Sequence, residues 1–294
     1  MAEGTEVTGK SGQDATFLRH RRLVFSLAYD ITGSVSDAED VTQACYERWR
    51  RASEVHDARA WLARVATNLA IDTVRGRSRV AYVGPWLPEP IPAYAAAGPS
   101  VEELEVRAEE VSVALLVVLQ SLSSLERAAF LLVEVFGFSA PEAADILGRT
   151  PAAVRQLVSR SRRHVKDADP RRTVDAAEHR RTVERFIAAA STGDAAALAA
   201  LLGEQVVLTS DGGGLVSTAL RPVVGRDNVL RFLAGLATRF TGRFALRPEL
   251  LNGEPGWLLM LDGAVDHAAM VVVEGGEITK IFLQRNPTKL AHLG

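Results

Sequence analysis

The 294-residue chain predicts a multidomain fold in which two all-α units are followed by an α+β unit. Three observations predict it. Helical periodicity with capping signals runs from about Phe17 to Lys166. A proline-rich stretch at 84–100 interrupts that pattern. From Gln205 onward, short strand-like runs bounded by turn signals take over. The 47% hydrophobic content supports real cores, and the length accommodates two or three domains at about 150 residues each.

The first dozen residues are polar and contain Gly, and are expected to be disordered. Helical spacing then links Phe17, Leu23, Val24, Leu27 and Ala28. Ser36-Asp37-Ala38-Glu39 reads as a capping box opening a second helix, DAEDVTQACYERWRRA. Its Asp37, Glu39 and Asp40, with Gln43, Tyr46 and Trp49, either stabilise a helix start or form a docking surface for a large partner. A third helix at 57–79 puts Leu62, Ala66, Leu69 and Thr73 on an inner face. Arg64, Asn68 and Arg75 line the opposite side with Trp61 near the edge, a combination suited to phosphates and unstacked bases. Ile71 falls on that outer face, against the pattern.

The connector GPWLPEPIPAYAAAGPS holds five Pro and reads as a stiff, extended linker. Its Trp86-Leu87 pair suggests a docking site, or packing against its own sigma domain. Helices follow over Val101–Gln120 and Leu125–Phe136. The stretch from Ser139 to Lys166 then reads as a helix-turn-helix. Ser139 and Glu142 form a capping box, Gly148 permits a left-handed exit, and Thr150-Pro151 opens the second helix. Val154, Leu157 and Val158 form its apolar face. Opposite lie Gln156, Ser159 and Arg163, flanked by Ala152, Arg155 and Arg160. Arg pairs with guanine, Gln with adenine, and an Ala methyl touches thymine. Between Arg149 and Arg172, eight Lys or Arg face two Asp, a local net of +6. That charge is hidden in a whole-chain net of −2. A basic helix alone reads as a solvated face; one opposite an apolar face in a capped helix-turn-helix reads as DNA-binding.

Residues 176–294 are electrically neutral, with 12 Lys or Arg and 12 Asp or Glu. Helices are expected at Arg180–Ala190, Ala195–Leu202 and Arg226–Arg239, and strands at Gln205–Thr209, Phe244–Leu251, Trp257–Leu261, Ala268–Val273 and Ile278–Arg285. Asn252-Gly253 and Glu274-Gly275-Gly276-Glu277 mark turns. Together they describe an α+β cone with a curved antiparallel sheet. The single cysteine, Cys45, excludes an internal disulfide and fits a reducing compartment. With no membrane-length apolar run and no signal-peptide pattern, a cytoplasmic protein without membrane contact is expected. The six His are scattered, so no metal site and no cofactor are expected.

The order of these pieces resembles the extracytoplasmic-function sigma factors of bacterial RNA polymerase. DAEDVTQACYERWRR is similar to their region 2.2, and AWLARVATNLAIDTVRGRSR to regions 2.3 and 2.4. LSSLERAAFLLVEVFGFSAPEAADILGRTPAAVRQLVSRSRR is similar to region 4. The resemblance implies core RNA polymerase and promoter DNA as partners and a protein that is monomeric when free. Asp37, Glu39, Asp40, Gln43, Tyr46 and Trp49 would meet the polymerase β′ coiled coil. Trp61, Arg64, Asn68, Arg75 and Arg77 would melt and read the −10 element. Ala152, Arg155, Gln156, Ser159, Arg160 and Arg163 would read the −35 element beside the β flap. The implied domains are sigma region 2 at 13–83, a linker at 84–107, region 4 at 108–168, a short linker at 169–175 and a further domain at 176–294.

That last domain resembles the SnoaL-like fold, which serves both enzymes and ligand binders, leaving room for a small-molecule ligand in the cone. A subgroup of these sigma factors carries it with three motifs: WLPEP, here Trp86, Leu87, Pro88, Glu89 and Pro90; DGGG, here Asp211, Gly212, Gly213 and Gly214; and NPDKL, here Asn286, Pro287, Thr288, Lys289 and Leu290. Thr288 departs from the third motif and removes one carboxylate. The resemblance implies that this domain controls the sigma factor in cis. Three consecutive Gly allow a close, adaptable contact loop, and the DGGG loop and the Asn286–Leu290 tail are expected to hold the WLPEP linker. An enzyme using Asp211, Asp262, Asp266 or His267 is one rival; no Tyr-plus-acid oxyanion site accompanies them, and no catalytic residue is assigned. The other rival is a ligand-responsive helix-turn-helix regulator, which has no use for residues 13–80.

Overall fold

A computed structural model of the chain describes residues 10–77, 82–92, 111–168, 176–240 and 243–293. It divides into two compact units. One joins residues 1–80, 102–109 and 118–169; the other joins 81–101, 110–117 and 170–294.

The first unit is all-helical. Helices α1 (Lys10–Thr32), α2 (Val35–Trp49) and α3 (Ala58–Arg77) pack on one another, burying Val24, Leu27 and Ile31, Val41 and Cys45, and Leu62, Ala66 and Ala70. Helix α1 begins at Lys10, inside the stretch expected to be disordered. The N-cap of α2 is Ser34, two residues before the expected one; its hydroxyl accepts from Asp37 N at 3.3 Å. Ile71 is buried alongside Ala63, Ala66, Thr67 and Ala70, so the inner face of α3 is wider than the spacing of Leu62, Ala66, Leu69 and Thr73 indicated.

Helix α4 (Val113–Gln120) is the described part of the helix expected from Val101; its residues to Val117 belong to the second unit, and those from Val118 to the first. Helix α5 (Ser124–Phe130) opens with a Ser123–Glu126 capping box. Instead of continuing as an α-helix it passes into a π-turn at Leu131–Val135, where Phe136 N donates to Leu131 O at 2.9 Å. Helices α6 (Ala140–Leu147) and α7 (Pro151–Ala168) form the helix-turn-helix. Both halves of the Ser139–Glu142 capping box are present, Gly148 sits at φ 62°, and Thr150 Oγ1 accepts from Ala153 N at 3.2 Å.

Within this unit α3 packs on α6, so the two helical domains form a single body. Arg127 of α5 is its pin. The guanidinium is 2% exposed and donates to Leu119 O (3.0 Å), Gln120 O (3.3 Å), Leu122 O (3.4 Å) and, across to α1, Ile31 O (2.5 Å). Burial pulls its pKa down to about 10, with Arg77 adding repulsion. Arg59 of α3 donates to Phe136 O at 3.0 Å and lies 4.0 Å over the Phe138 ring.

The second unit is built on a six-stranded sheet. Helices α8 (Ala176–Thr192) and α9 (Ala195–Leu201) lead into β1 (Leu202–Asp211). After β2 (Val223–Val224) and α10 (Arg226–Arg239) come β3 (Phe244–Leu251), β4 (Glu254–Leu261), β5 (Ala264–Glu274) and β6 (Glu277–Gln284), then a short α11 (Pro287–Leu290) and a 3-10 turn, Ala291–Leu293. The strand order is β2-β1-β6-β5-β4-β3, with β1 and β6 parallel and every other pair antiparallel. The cone is therefore a mixed sheet, because β1 reaches β6 only after the whole meander has formed.

Strand alternation gives the sheet two apolar faces. Trp257, Ala269, Val271, Ile281 and Leu283 meet Val183, Phe186 and Val229 of the helices. Their neighbours Leu258, Ala268, Met270 and Phe282 point the other way, where they meet Leu87, Val113, Ala114, Leu290 and Leu293. Leu87, Val113 and Ala114, which lie outside the cone in sequence, thus help to cover this second face. Among the described residues, no helix is long and apolar enough to cross a membrane, and no cluster of His, Cys, Asp and Glu has a metal-holding arrangement.

Candidate nucleic-acid interface and linker latch

The helix-turn-helix presents its predicted reading residues together. Along α7, Ala152, Arg155, Gln156, Ser159, Arg160 and Arg163 are all exposed, while Val154, Leu157, Val158 and Val165 are buried. Ser161 fixes the helix by donating to Leu157 O (3.0 Å) and Glu126 O (3.3 Å). Arg162 pairs with Glu134 on the π-turn at 2.6 Å, so it braces the helix, leaving the six predicted residues as the outward face.

On α3, Arg64, Asn68 and Arg75 are exposed. Trp61 is half-buried, its ring edge-on to Trp49 at 5.5 Å. Arg77 is turned inward: it donates to Thr32 O at 2.6 Å and pairs with Asp37 at 3.0 Å. On α2, Glu39, Asp40 and Gln43 face solvent, whereas Trp49 is buried and donates from Nε1 to Gln13 O at 2.8 Å. Tyr46 donates to Asp14 at 3.1 Å and packs on Phe17. Trp49, Tyr46, Asp37 and Arg77 thus have structural partners that helical spacing did not reveal.

The three motifs of the second unit meet at one carboxylate. Asp211, at the end of β1, is fully buried. Its Oδ1 accepts from Tyr82 OH (2.6 Å) and Gly213 N (2.9 Å). Its Oδ2 accepts from Leu87 N (2.9 Å), Gln284 Nε2 (3.2 Å) and Lys289 Nζ (2.7 Å). Lys289, also buried, donates to Leu87 O at 2.7 Å and stands 3.9 Å over the Trp86 ring. Gln284 Nε2 reaches Leu87 O (3.2 Å) and Pro88 O (3.4 Å). A buried carboxylate is tolerated only when paired and hydrogen-bonded, and five donors supply that here. Burial and the Asp211 bond push the Tyr82 phenol well above its usual range.

Further along, Ile91 N donates to Asn252 Oδ1 (3.0 Å), Asn252 N donates to Ile91 O (2.7 Å), and Pro92 bridges Leu251 on the β3 edge. His292 Nε2 lies 2.7 Å from Pro90 O. Leu87, Pro88, Glu89 and Pro90 are all buried.

The three glycines form a packed turn. Gly213 has φ 60°, and a Cβ there would overlap the Asn286 side chain. Gly214 has φ 74°, and its Cβ would lie 2.9 Å from Val83 Cβ. At Gly212 it would lie 2.7 Å from Val216 O. Asn286 caps α11, its Oδ1 accepting from Thr288 N (3.0 Å) and Thr288 Oγ1 (2.7 Å), while its Nδ2 donates to Tyr82 OH (3.1 Å). The departure at Thr288 is accommodated because that side chain is exposed and bonds within the cap; Pro287 is exposed too, and Leu290 is buried on the linker face of the sheet. Asp262 ends β4 at the turn and pairs with Arg243. His267, one of the residues the enzyme reading would use, is buried at 3% exposure, because it faces the helices.

Comparison with known proteins matches this architecture throughout. Residues 16–80 match the model for Sigma-70 region 2, and residues 112–165 the model for Sigma-70, region 4. The chain is 36% identical to the ECF RNA polymerase sigma factor SigJ of Mycobacterium tuberculosis over 92% of its own length and 90% of that protein. It is 30% identical to the probable ECF sigma factor SigI of the same species, over 94% of each chain. The crystal structure of Mycobacterium tuberculosis SigJ superposes with a TM-score of 0.76 at 33% identity, covering 95% of this chain and 98% of that one. With both sigma regions present in order and a relative aligned over nearly its whole length, the chain belongs to the extracytoplasmic-function sigma factors, and it directs transcription initiation by RNA polymerase.

Proposed function

We propose that the cone regulates this sigma factor in cis by gripping the linker between its two DNA-binding domains. The carrying observation is Asp211: one buried carboxylate satisfied by donors from the linker, the DGGG turn and the C-terminal tail at once. Residues 82 to 92 are held, eleven in number. At about 3.3–3.6 Å per extended residue, holding them removes on the order of 36–40 Å from the contour of the tether. The latch therefore sets how far the −10 and −35 readers can separate.

In this reading α7 reads the −35 element through Ala152, Arg155, Gln156, Ser159, Arg160 and Arg163. Arg64, Asn68, Arg75 and Trp61 contact the −10 element, with Arg77 positioning α3 from below. Glu39, Asp40 and Gln43 meet the β′ coiled coil from a face that Asp37, Tyr46 and Trp49 hold in shape, and region 4 meets the β flap. The exposure of the first sets and the internal partners of the second support the division. The regulatory reading implies two states with different linker contacts. In vitro transcription with core polymerase compares wild type with Trp86→Ala and Gly213→Asp in the full chain. Altered promoter output with retained polymerase binding is expected; output equal to wild type in both would defeat cis control.

A further inference from the structure

The helix-covered face of the sheet is not filled. Between α8, α9, α10 and strands β3 to β6 lies a cavity of about 490 Å³, within the range of small-molecule sites and far beyond a packing defect. Its walls are aromatic and aliphatic, led by Phe186, Leu230, Leu233, Phe240, Trp257 and Leu283. Phe186 and Trp257 stack at 4.7 Å, forming one flat wall.

A deeply buried polar side chain stands in that wall. His267 is 3% exposed, and a bulge next to it supplies a partner. Leu259 pairs with His267 and Met260 with Val265, so Asp266 is an extra residue in β5. Bulges re-aim side chains, and here Asp266 Oδ2 lies 2.5 Å from His267 Nδ1. The contact is electrostatic, without hydrogen-bond geometry. Two lone pairs would repel at that distance, so Nδ1 carries the proton. Arg285 fixes the carboxylate, donating from Nε to Asp266 at 3.1 Å and from its other arm to Ser217 O. That guanidinium is therefore engaged away from the cavity. Burial holds His267 below the usual imidazole range despite the carboxylate, so the ring is neutral and Nε2 bears a lone pair.

We propose that this cavity binds a neutral, ring-containing, apolar small molecule carrying one hydroxyl or N–H donor, which His267 Nε2 accepts. Among the described residues the cation that lines the cavity, Arg231, is held by Asp227 O and Asn228 Oδ1. An anion therefore meets no unengaged charge there, and an acceptor-only carbonyl faces a lone pair. The cavity wall is also one side of the latch: Leu283 lines the cavity and Gln284, the next residue of β6, holds Leu87 and Pro88 from the opposite face. Binding itself does not depend on cis control.

The test titrates the full-length protein with fluorescent hydroxypyrene and, in parallel, methoxypyrene, which keeps the ring and loses the donor. Saturable one-to-one binding is expected, with the hydroxy compound tighter by about tenfold, the worth of one hydrogen bond. Leu233→Trp, which fills the cavity from α10, abolishes both. His267→Phe, which keeps the volume, removes the difference between the probes while retaining both. Circular dichroism confirms the fold of each variant, and Leu233→Trp decides the location even if His267→Phe misfolds. No saturable binding to folded wild type, or binding unchanged in Leu233→Trp, overturns the site; equal affinity for the two probes in wild type overturns the role of His267.

Discussion

Replacing Asp211 by Asn changes one oxygen and removes the charge at the centre of the latch. Neither amide orientation rescues it. The Oδ1 position meets Tyr82 OH and Gly213 N, the Oδ2 position meets Leu87 N, Gln284 Nε2 and Lys289 Nζ, and all five are donors. The amide nitrogen, itself a donor, must therefore oppose at least one other. Lys289 is left buried without its counter-charge, and breaking such a pair costs about 3–5 kcal/mol. At 1.4 kcal/mol per tenfold, linker docking weakens by roughly two to three and a half orders of magnitude. Hydrogen exchange reads this directly, because the Leu87 amide donates to Asp211 and exchanges when the linker leaves. Peptides covering 84–92 in Asp211→Asn are expected to lose protection by about that factor, while peptides from α7 keep theirs. Wild-type protection at 84–92 in a folded variant would refute the argument, since it would mean that packing of Leu87 and Pro92 holds the linker without the carboxylate.

Four further outcomes are expected. Gly213→Ala combines a left-handed φ with overlap on Asn286 and lowers the stability of the cone by about 2–4 kcal/mol, whereas Gly148→Ala, at φ 62° with no atom near its Cβ, costs about 1 kcal/mol; urea melts of the two variants compare them. Arg127→Leu strips donors from four carbonyls and destabilises the helical unit by about 2–4 kcal/mol, measured by thermal melting. Arg155→Ala and Gln156→Ala leave stability unchanged and each cost about 1–3 kcal/mol of discrimination between matched and mismatched −35 sequences, measured by promoter binding at fixed salt. Acidification destabilises the cone: burial holds His267 and His179 below the ordinary imidazole value of 6.5. The unfolded chain therefore binds more protons just below that value, and stability falls with decreasing pH across the interval from 6.5 to the folded pKa values. The charged groups around His267 are Asp266, Arg285 and Arg239, and His267→Gln is expected to reduce the pH slope seen in urea melts.

Elements whose signals are local are legible in the amino-acid order alone. The capping box at Ser139–Glu142, the Gly148 exit and the apolar spacing of Val154, Leu157 and Val158 specify the helix-turn-helix and leave its basic face outward. The hairpin turns at Asn252-Gly253 and Glu274–Glu277 likewise fix the antiparallel meander. Other features depend on contacts between residues far apart in the chain. Asp211, Gln284 and Lys289 are separated by up to 78 positions, and their convergence on Leu87 follows from the parallel pairing of β1 with β6, which has no sequence period. The π-turn after Phe130, the pinning of Ile31 by Arg127 and the inward turn of Arg77 belong to the same class. The burial of His267 is not legible because the apolar run of that strand begins at Ala268; pairing with Leu259 extends β5 back past it and puts it on the face of Ala269 and Val271. Local chemistry chose the helices and turns; long-range pairing chose which charged groups are buried, and with them the latch and the cavity.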